Sequence, residues 1–230
     1  MREKELSRRL YAAFLLVREG RTVADIGTDH AHLPIALVMS GKIERAFASD
    51  IGKGPLERAL ENIKKAGLEE KIKTVLTDGA AVFDSLADEF IIAGMGGELI
   101  FDIISRAPFM KNEDIHLVLQ PMTKIPTLRK SLLKEGFRID EEKLVFEDER
   151  VYTVMSVYYD GKAREITECE AVTGKVDTVD PTLAIKVIDG ALYDVENKIR
   201  GKKDPKDDIR LRAELTLVKN KLMEKIHENI

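Results

Sequence analysis

Three aspartates follow three short apolar segments, at a spacing suited to holding a ligand rich in hydroxyl and ammonium groups. Asp25 lies in ADIGTDH, Asp50 in ASDIG and Asp78 in LTDGA. Carboxylates accept hydrogen bonds from ribose hydroxyls and from ammonium groups. If each aspartate ends a parallel β-strand, all three side chains meet at the sheet edge where ligands of such folds bind.

The first of these segments has the most specific pattern. In Asp25-Ile26-Gly27-Thr28-Asp29 the glycine lets a ligand approach the backbone closely. The G-x-G-x-x-G pattern is missing, which argues against a dinucleotide and favours a cofactor with an amino-acid moiety. The alternative is that Asp25 serves only the turn between a strand and a helix.

The other acids favour the binding interpretation. Asp50 comes 23 residues after Gly27, a distance at which an acid grips ribose hydroxyls in nucleotide-binding folds. An acid at Asp78 can meet an adenine amino group. The segment AGMGGELI (93–100) adds Gly94, Gly96 and Gly97, whose density indicates close backbone approach or positive φ, or else only tight helix packing.

The histidines do not predict a metal site. His30 and His32 alternate, but a metal needs further ligands, and His116 and His227 lie at no ligand-like spacing. The single cysteine, Cys169, excludes an internal disulfide and favours a reducing compartment.

Composition predicts a folded, cytoplasmic protein without a membrane segment. Of 230 residues, 44% are hydrophobic and 34% charged, and no apolar run approaches the ~20 residues of a membrane span.

The net charge is −4, yet the last fifty residues hold 11 Lys and Arg against 9 Asp and Glu. This mild asymmetry is compatible with a polyanionic partner.

The order of elements predicts an α/β fold. Apolar runs at 22–27, 45–51, 73–79, 88–97 and 114–121 alternate with amphipathic segments at 34–41, 54–67, 98–107 and 125–137, and 138–161 adds two strands without a helix between them. Such alternation gives a parallel sheet, and the final pair an antiparallel edge. This is the seven-stranded, Rossmann-like fold of class I S-adenosylmethionine-dependent methyltransferases.

The last fifty residues predict a helical hairpin. Apolar residues recur at steps of three and four over 185–199 and again over 211–226, with a turn at 200–206. Two helices folded back in antiparallel, coiled-coil-like packing fit this pattern, and their mutual burial predicts a monomer. We therefore expect a catalytic domain at 1–160, and a linker with the hairpin at 161–230.

With DIGTDHAHLP (25–34), AGMGG (93–97) and LQP (119–121) in this order, the chain resembles the bacterial tRNA (adenine(22)-N1)-methyltransferases of the TrmK type. The resemblance covers nearly the whole chain and implies S-adenosyl-L-methionine as cofactor and tRNA as partner. Relatives often carry Asn where this chain has Met122. The Asn/Asp-Pro-Pro-aromatic segment of adenine-N6 methyltransferases is missing, which argues against N6 as the methylated atom.

The resemblance also implies site residues. Adenine N1 has an in-plane lone pair that needs no deprotonation, so positioning can carry much of the catalysis. The base becomes cationic, so a carboxylate such as Asp29 would stabilise the transition state, with His30 and Gln120 as orienting groups. The expected cofactor contacts are Asp25, Gly27, Thr28, Asp29, Asp50, Asp78, Gly79, Gly94, Met95 and Gly96.

The RNA contacts are expected from basic side chains. N1 is paired in a duplex, so the target adenine must be unstacked, and the rest of the tRNA is held through phosphates. The candidates are Arg8 and Arg9 near the N-terminus and Arg200, Lys202, Lys203 and Lys206 at the hairpin tip. The alternative for each of them is a solvated surface charge without a role in RNA binding.

Two other functions stay open at this point. A methyltransferase of this fold can act on rRNA, on protein or on a small molecule. A non-enzymatic module could instead use the apolar stripes of the hairpin to bind a protein partner.

Overall fold

The centre of the molecule is a seven-stranded sheet in the order β3-β2-β1-β4-β5-β7-β6. The computed structural model describes residues 6–176 and 179–228. The strands are β1 (Thr22–Ile26), β2 (Arg45–Asp50), β3 (Ile72–Leu76), β4 (Glu89–Gly96), β5 (His116–Thr123), β6 (Phe137–Glu147) and β7 (Arg150–Tyr159). In the described residues the α-helices are α1 (Arg8–Leu16), α2 (His32–Met39), α3 (Lys53–Lys65), α4 (Gly97–Ser105), α5 (Ile125–Lys134), α6 (Glu168–Thr173), α7 (Pro181–Gly201) and α8 (Lys206–Glu228).

The pairing of the strands confirms the predicted class I methyltransferase fold. Strands β1 to β5 run parallel to their neighbours, whereas β7 is antiparallel to both β5 and β6. The position of the β6–β7 turn was not expected, and in it Asp148 and Glu149 both have positive φ, 47° and 62°. Since neither is glycine, the sequence pattern did not locate this turn.

Each face of the sheet carries its own core because side chains alternate along a strand. Val23 and Ile91 point to the face covered by α1, α2 and α3, whereas Ala24 and Phe90 point to the face covered by α4 and α5. The whole carboxyl edge of the parallel strands is thereby held rigid from both sides.

The C-terminal hairpin has a third core. Ala184, Ile188 and Val195 of α7 pack against Leu215 and Leu222 of α8, as the three-and-four spacing predicts. Residues 202–205 form the tip, a shorter turn than the predicted 200–206. No helix among the described residues is long and apolar enough to span a membrane.

A buried ion pair connects the sheet to the segment that leads into the hairpin. Arg129 of α5 and Glu142 of β6 are 3% and 2% exposed, and Arg129 Nε lies 2.8 Å from Glu142 Oε1. Arg129 Nη1 also donates to the carbonyls of Ala171 and Val172, at 2.7 and 3.0 Å. The start of the hairpin is thus fixed to the catalytic sheet by charge-assisted hydrogen bonds.

Candidate active site

The structure brings the three predicted acids to one edge of the sheet. Asp25 and Asp50 lie at the carboxyl ends of β1 and β2, and Asp78 follows β3 by two residues. The glycine-rich turn at Gly94–Gly97 closes β4 on the other side of β1. Because these four strands are parallel neighbours, their carboxyl ends lie together at the edge of the sheet where ligands of such folds bind. This edge, with the loops that follow β1 and β4, is the candidate crevice.

The loop after β1 is held by the backbone of β2. The amide groups of Gly27 and Thr28 both donate to the Ser49 carbonyl at 2.8 Å, and Ser49 Oγ donates to the Asp25 carbonyl at 3.1 Å. Gly27 adopts φ +78°, which glycine reaches without strain. These hydrogen bonds hold the loop against the end of β2.

Asp25 is the most perturbed acid of the site. Its side chain is buried, and burial raises its pKa to about 6, although a hydrogen bond with Thr28 opposes the shift. The negative charge of Asp50 raises this pKa further. A cationic ligand group would relieve both effects, since it favours the ionised carboxyl.

We therefore predict that cofactor affinity falls as the pH is lowered through about 6. Below that value Asp25 is neutral and loses its attraction for an ammonium group, so affinity at about pH 5 should be roughly tenfold weaker than at about pH 8. Calorimetric titration of S-adenosyl-L-methionine over this range measures the effect. Burial also lowers the pKa of His32 in the same loop, so Asp25→Asn is the control. This variant should bind the cofactor weakly with a flatter pH profile, and a profile identical to that of the unmodified protein would exclude Asp25 as the source.

The glycine-rich turn faces the first loop directly. A Cβ built on Gly27 would lie 1.9 Å from Met95 Cε, so the methionine side chain lies over this glycine. Gly94 has φ +78°, and a Cβ there would meet nothing within 4 Å. The turn thus presents bare backbone to the crevice, with Met95 able to shift by rotation of its flexible side chain.

Gln120 supports this turn from behind. It is fully buried, its Oε1 accepts a hydrogen bond from the Gly94 amide at 3.1 Å, and its Nε2 donates to the Pro121 carbonyl at 3.1 Å. Nε2 also lies 3.5 Å from the sulfur of Met122. The structure places Gln120 where it positions Gly94, not where it reaches substrate.

The Asp50 carboxylate is held by the backbone just beyond its own strand. Its Oδ1 accepts a hydrogen bond from the Gly52 amide at 2.6 Å, which fixes the carboxylate at the end of β2. The next residue, Ile51, is 71% exposed. The sequence analysis overlooked Ile51. Its signal in the sequence is an apolar residue directly after the acid that ends the strand. The Ile51 side chain offers an apolar surface beside the Asp50 carboxylate.

Two arginines that the sequence analysis did not single out line the same crevice. Arg58 of α3 contacts Asp29 at 2.5 and 3.1 Å, and this hydrogen bond lowers the Asp29 pKa. Arg106, which follows α4, contacts Asp78 at 3.1 and 3.3 Å. Pairs that are 28 and 29 residues apart leave no mark in local periodicity, so only the fold reveals them.

The two histidines of the first loop lie together. Their rings stack with centroids 5.1 Å apart, and His30 Nε2 is 3.4 Å from Asp29 Oδ2. His32 Nδ1 is buried without a hydrogen-bond partner among the described residues, and burial followed by the nearby His30 lowers its pKa. Within residues 6–176 and 179–228, no three metal-ligating side chains are grouped to hold an ion.

The basic residues predicted to bind RNA are mostly engaged within the protein. Arg9 pairs with Glu147 at 3.1 Å, and Arg8 donates to the Phe146 carbonyl at 3.1 Å. At the hairpin tip, Lys202 pairs with Asp208, Lys206 with Asp204, and Arg200 donates to Asn197. Exposed ion pairs of this kind are weak, so a phosphate can compete for these basic side chains. Their role in RNA binding stays a prediction.

Comparison with known proteins agrees with this geometry. A family model described as "Methyltransferase domain" matches residues 6–155, from just before α1 into β7. The chain belongs to this methyltransferase domain family. The match includes every acid and every glycine of the crevice.

A curated relative and a solved structure are similar to this chain over most of its length. The tRNA (adenine(22)-N(1))-methyltransferase of Bacillus subtilis is 35% identical over 156 residues, 67% of this chain and 66% of that protein, which is just under two thirds of its length. The structure of M. capricolum TrmK with the cofactor product S-adenosyl-homocysteine superposes with a TM-score of 0.74 at 28% identity, and covers 96% of this chain and 98% of that one. These matches confirm the predicted resemblance to the TrmK type.

A methyltransferase of another kind matches less of the chain. The ribosomal protein L11 methylase of Lactobacillus delbrueckii covers 66% of this chain with a TM-score of 0.53 at 19% identity, which shows the shared fold alone.

Proposed function

We propose that this protein transfers the methyl group of S-adenosyl-L-methionine to N1 of adenine 22 in tRNA. The observation that carries the proposal is the coverage of the structural match. The similarity to M. capricolum TrmK covers 96% of this chain, so it includes most of the catalytic sheet and of the helical hairpin. Together with the 35% identity to the tRNA (adenine(22)-N(1))-methyltransferase of Bacillus subtilis, this coverage supports the same activity for this chain.

The residues of the crevice fit the proposed cofactor. Gly94 leaves backbone open to a ligand, whereas Gly27 is covered by the flexible side chain of Met95. Asp50 offers a carboxylate for the ribose hydroxyls, and Asp25 is a buried acid that a cationic group would ionise. When bound, S-adenosyl-L-methionine supplies an electrophilic methyl group. Thr28, Asp78, Gly79, Met95 and Gly96 complete the proposed contacts.

In this proposal the protein positions the two reactants and stabilises charge. Adenine N1 attacks with its own lone pair, so no residue has to remove a proton first. Asp29 is an exposed carboxylate whose pKa the hydrogen bond from Arg58 lowers further, and its negative charge at the mouth of the crevice stabilises the positive charge that develops on the base. His30 lies beside Asp29 and orients the base, while Gln120 holds the Gly94 turn in place.

We predict that Asp29→Asn lowers kcat about 10- to 100-fold and changes cofactor affinity little, because the lost charge acts mainly in the transition state. Single-turnover methyl transfer, with a parallel cofactor titration, measures both quantities. Full turnover together with unchanged cofactor affinity would rule out the role assigned to Asp29.

The experiment that tests the function is methyl transfer from labelled S-adenosyl-L-methionine to unmodified tRNA transcripts, followed by nucleoside analysis. Transcripts with adenine at position 22 should yield 1-methyladenosine, and matched transcripts with another base there should not. No transfer to either transcript, with cofactor binding intact, would contradict the proposal and turn attention to rRNA or protein substrates.

Further proposals follow from the same architecture. We assign residues 1–160 to a catalytic domain and 161–230 to a linker and hairpin, because the hairpin has a core of its own. The apolar residues of α7 and α8 face each other, which supports a monomer, and modification of tRNA in bacteria supports a cytoplasmic location. The hairpin as a purely protein-binding module is less favoured, because its stripes are already paired with each other.

A further inference from the structure

A broad groove separates the catalytic sheet from the first helix of the hairpin. It runs between the start of α5, the β6–β7 turn and α7, and its volume is about 1420 Å³. Sites for small ligands usually have about 300–1,000 Å³. The size of the groove therefore favours an extended polymer over a small molecule.

The charged side chains of this groove are positive in balance. Lys124, Arg150, Lys186 and Lys198 line it, are exposed, and make no side-chain ion pair in the described part of the chain. The buried Arg129 is neutralised by Glu142, and Glu168 is neutralised by Lys130. That leaves Glu149 and Asp194 as opposing acids, so the groove carries a net charge of about +2 in a chain whose total is −4.

One end of the groove touches the candidate active site. Lys124 comes directly after β5 and precedes α5, and a Cβ built on Gly97 would lie 2.6 Å from the Lys124 carbonyl. A Cβ on Gly96 would likewise lie 3.2 Å from Thr123 Oγ1. The start of the groove is therefore in contact with the glycine-rich turn that faces the cofactor.

The other end lies along α7. Lys186 Nζ lies 4.4 Å above the ring of Phe146, which holds this ammonium at the groove wall, and Lys198 lies three helical turns further along the same helix. A polyanion leaving the active site at Lys124 would meet the two lysines in succession. The cations are thus arranged as a track and not as a single point.

We propose that this groove, and not mainly the hairpin tip, receives the ribose-phosphate backbone of the RNA on its way into the active site. The inference rests on the proposed function, because it presumes an RNA substrate. At the tip, Lys202 and Lys206 face acids of their own, whereas the groove lysines do not. When the RNA backbone lies along the groove, the nucleotide next to the bound stretch reaches the glycine-rich turn, where the target adenine is presented to the cofactor.

The test compares two triple variants that remove the same charge. The groove variant is Lys124→Gln, Lys186→Gln and Lys198→Gln, and the control variant is Arg45→Gln, Lys64→Gln and Lys71→Gln. The control side chains are exposed, make no ion pair in the described chain, and lie at the β2–β3 side of the sheet, opposite the groove. The affinity of each protein for an unmodified tRNA transcript is measured by filter binding between about 50 and 200 mM salt.

The groove variant should bind the tRNA transcript at least about tenfold more weakly at about 0.1 M salt. The slope of its log K plotted against log [salt] should be shallower by about 2, because three phosphate contacts are lost. The control variant should stay within about twofold of the unmodified protein. Calorimetric binding of S-adenosyl-L-methionine should be the same in all three proteins, which shows that they are folded.

Two other outcomes overturn the inference, and they differ in meaning. If the unmodified protein binds the tRNA transcript tightly and the groove variant binds it equally well, the groove does not receive the RNA, and the proposed function stands. If the unmodified protein binds the transcript no better than a DNA duplex and transfers no methyl group to it, the RNA function fails and the groove with it. Because binding is measured apart from methyl transfer, the two failures are distinguishable.

Discussion

Replacing Glu142 by glutamine should lower the free energy of unfolding by about 3–5 kcal/mol. The substitution leaves Arg129 charged, 3% exposed and without its carboxylate partner. Arg129 also holds the carbonyls of Ala171 and Val172, and Glu142 Oε2 accepts from the Lys175 amide at 2.8 Å. Loss of the pair thus weakens both β6 and the attachment of the hairpin.

Denaturant unfolding monitored by circular dichroism measures this effect, and the adjacent Glu141→Gln is the matched control. Glu141 is exposed and pairs only with Lys143 at the surface, so its substitution should cost less than about 1 kcal/mol. The double variant Arg129→Met with Glu142→Leu should be more stable than Glu142→Gln, because no buried charge is left unpaired. Equal stability of Glu142→Gln and Glu141→Gln would contradict the burial of this pair.

The second large effect is expected at Asp50. Asp50→Ala should weaken S-adenosyl-L-methionine binding about 100-fold, because two hydrogen bonds from ribose hydroxyls to an ionised carboxylate are lost together. Gly52 is left with an unmatched amide, but Gly52 is only half-buried between the exposed Ile51 and Lys53, so water can satisfy the amide. The fold should therefore persist while cofactor affinity falls.

Asp114→Ala is the control for this variant. Asp114 is an exposed aspartate just before β5, at the amino ends of the strands, so its loss removes the same charge at the opposite edge of the sheet. Calorimetric titration should find its cofactor affinity within about twofold of the unmodified protein. If Asp50→Ala binds cofactor as tightly as Asp114→Ala does, the ribose does not contact Asp50.

The fold was largely predictable because its information is periodic and local. Helix α3 shows a clear apolar face ending at Gly67, and the observed helix, Lys53–Lys65, agrees with the predicted 54–67 within two residues. The hairpin likewise follows from its three-and-four spacing. Helix α2 begins at His32, two residues before the predicted 34, because it starts from Ala31 in a left-handed conformation that no sequence signal announces.

The site was predictable only in part, and the limit is physical. Strand-ending acids are visible because strands end where apolar runs end, so Asp25 and Asp50 could be placed in advance. The partners of Asp29 and Asp78 could not be placed, since Arg58 on α3 and Arg106 just after α4 look in the sequence like ordinary surface charges. The fully buried pair His116 and Glu89, 2.5 Å apart at the amino ends of β4 and β5, was overlooked for the same reason. Each residue merely opens its own strand, and only sheet pairing makes them neighbours.

The two edges of the sheet differ in a way that bears on self-association. Strand β6 is an edge, but α1 packs on it, and α7 lies beside it. Strand β3, the other edge, has only five residues and carries Lys73, whose ammonium contacts the Glu69 carbonyl at 2.8 Å. A short strand with a charged side chain is a poor template for another strand. A concentrated solution of this protein should therefore resist the strand-to-strand stacking that leads to amyloid-like aggregates.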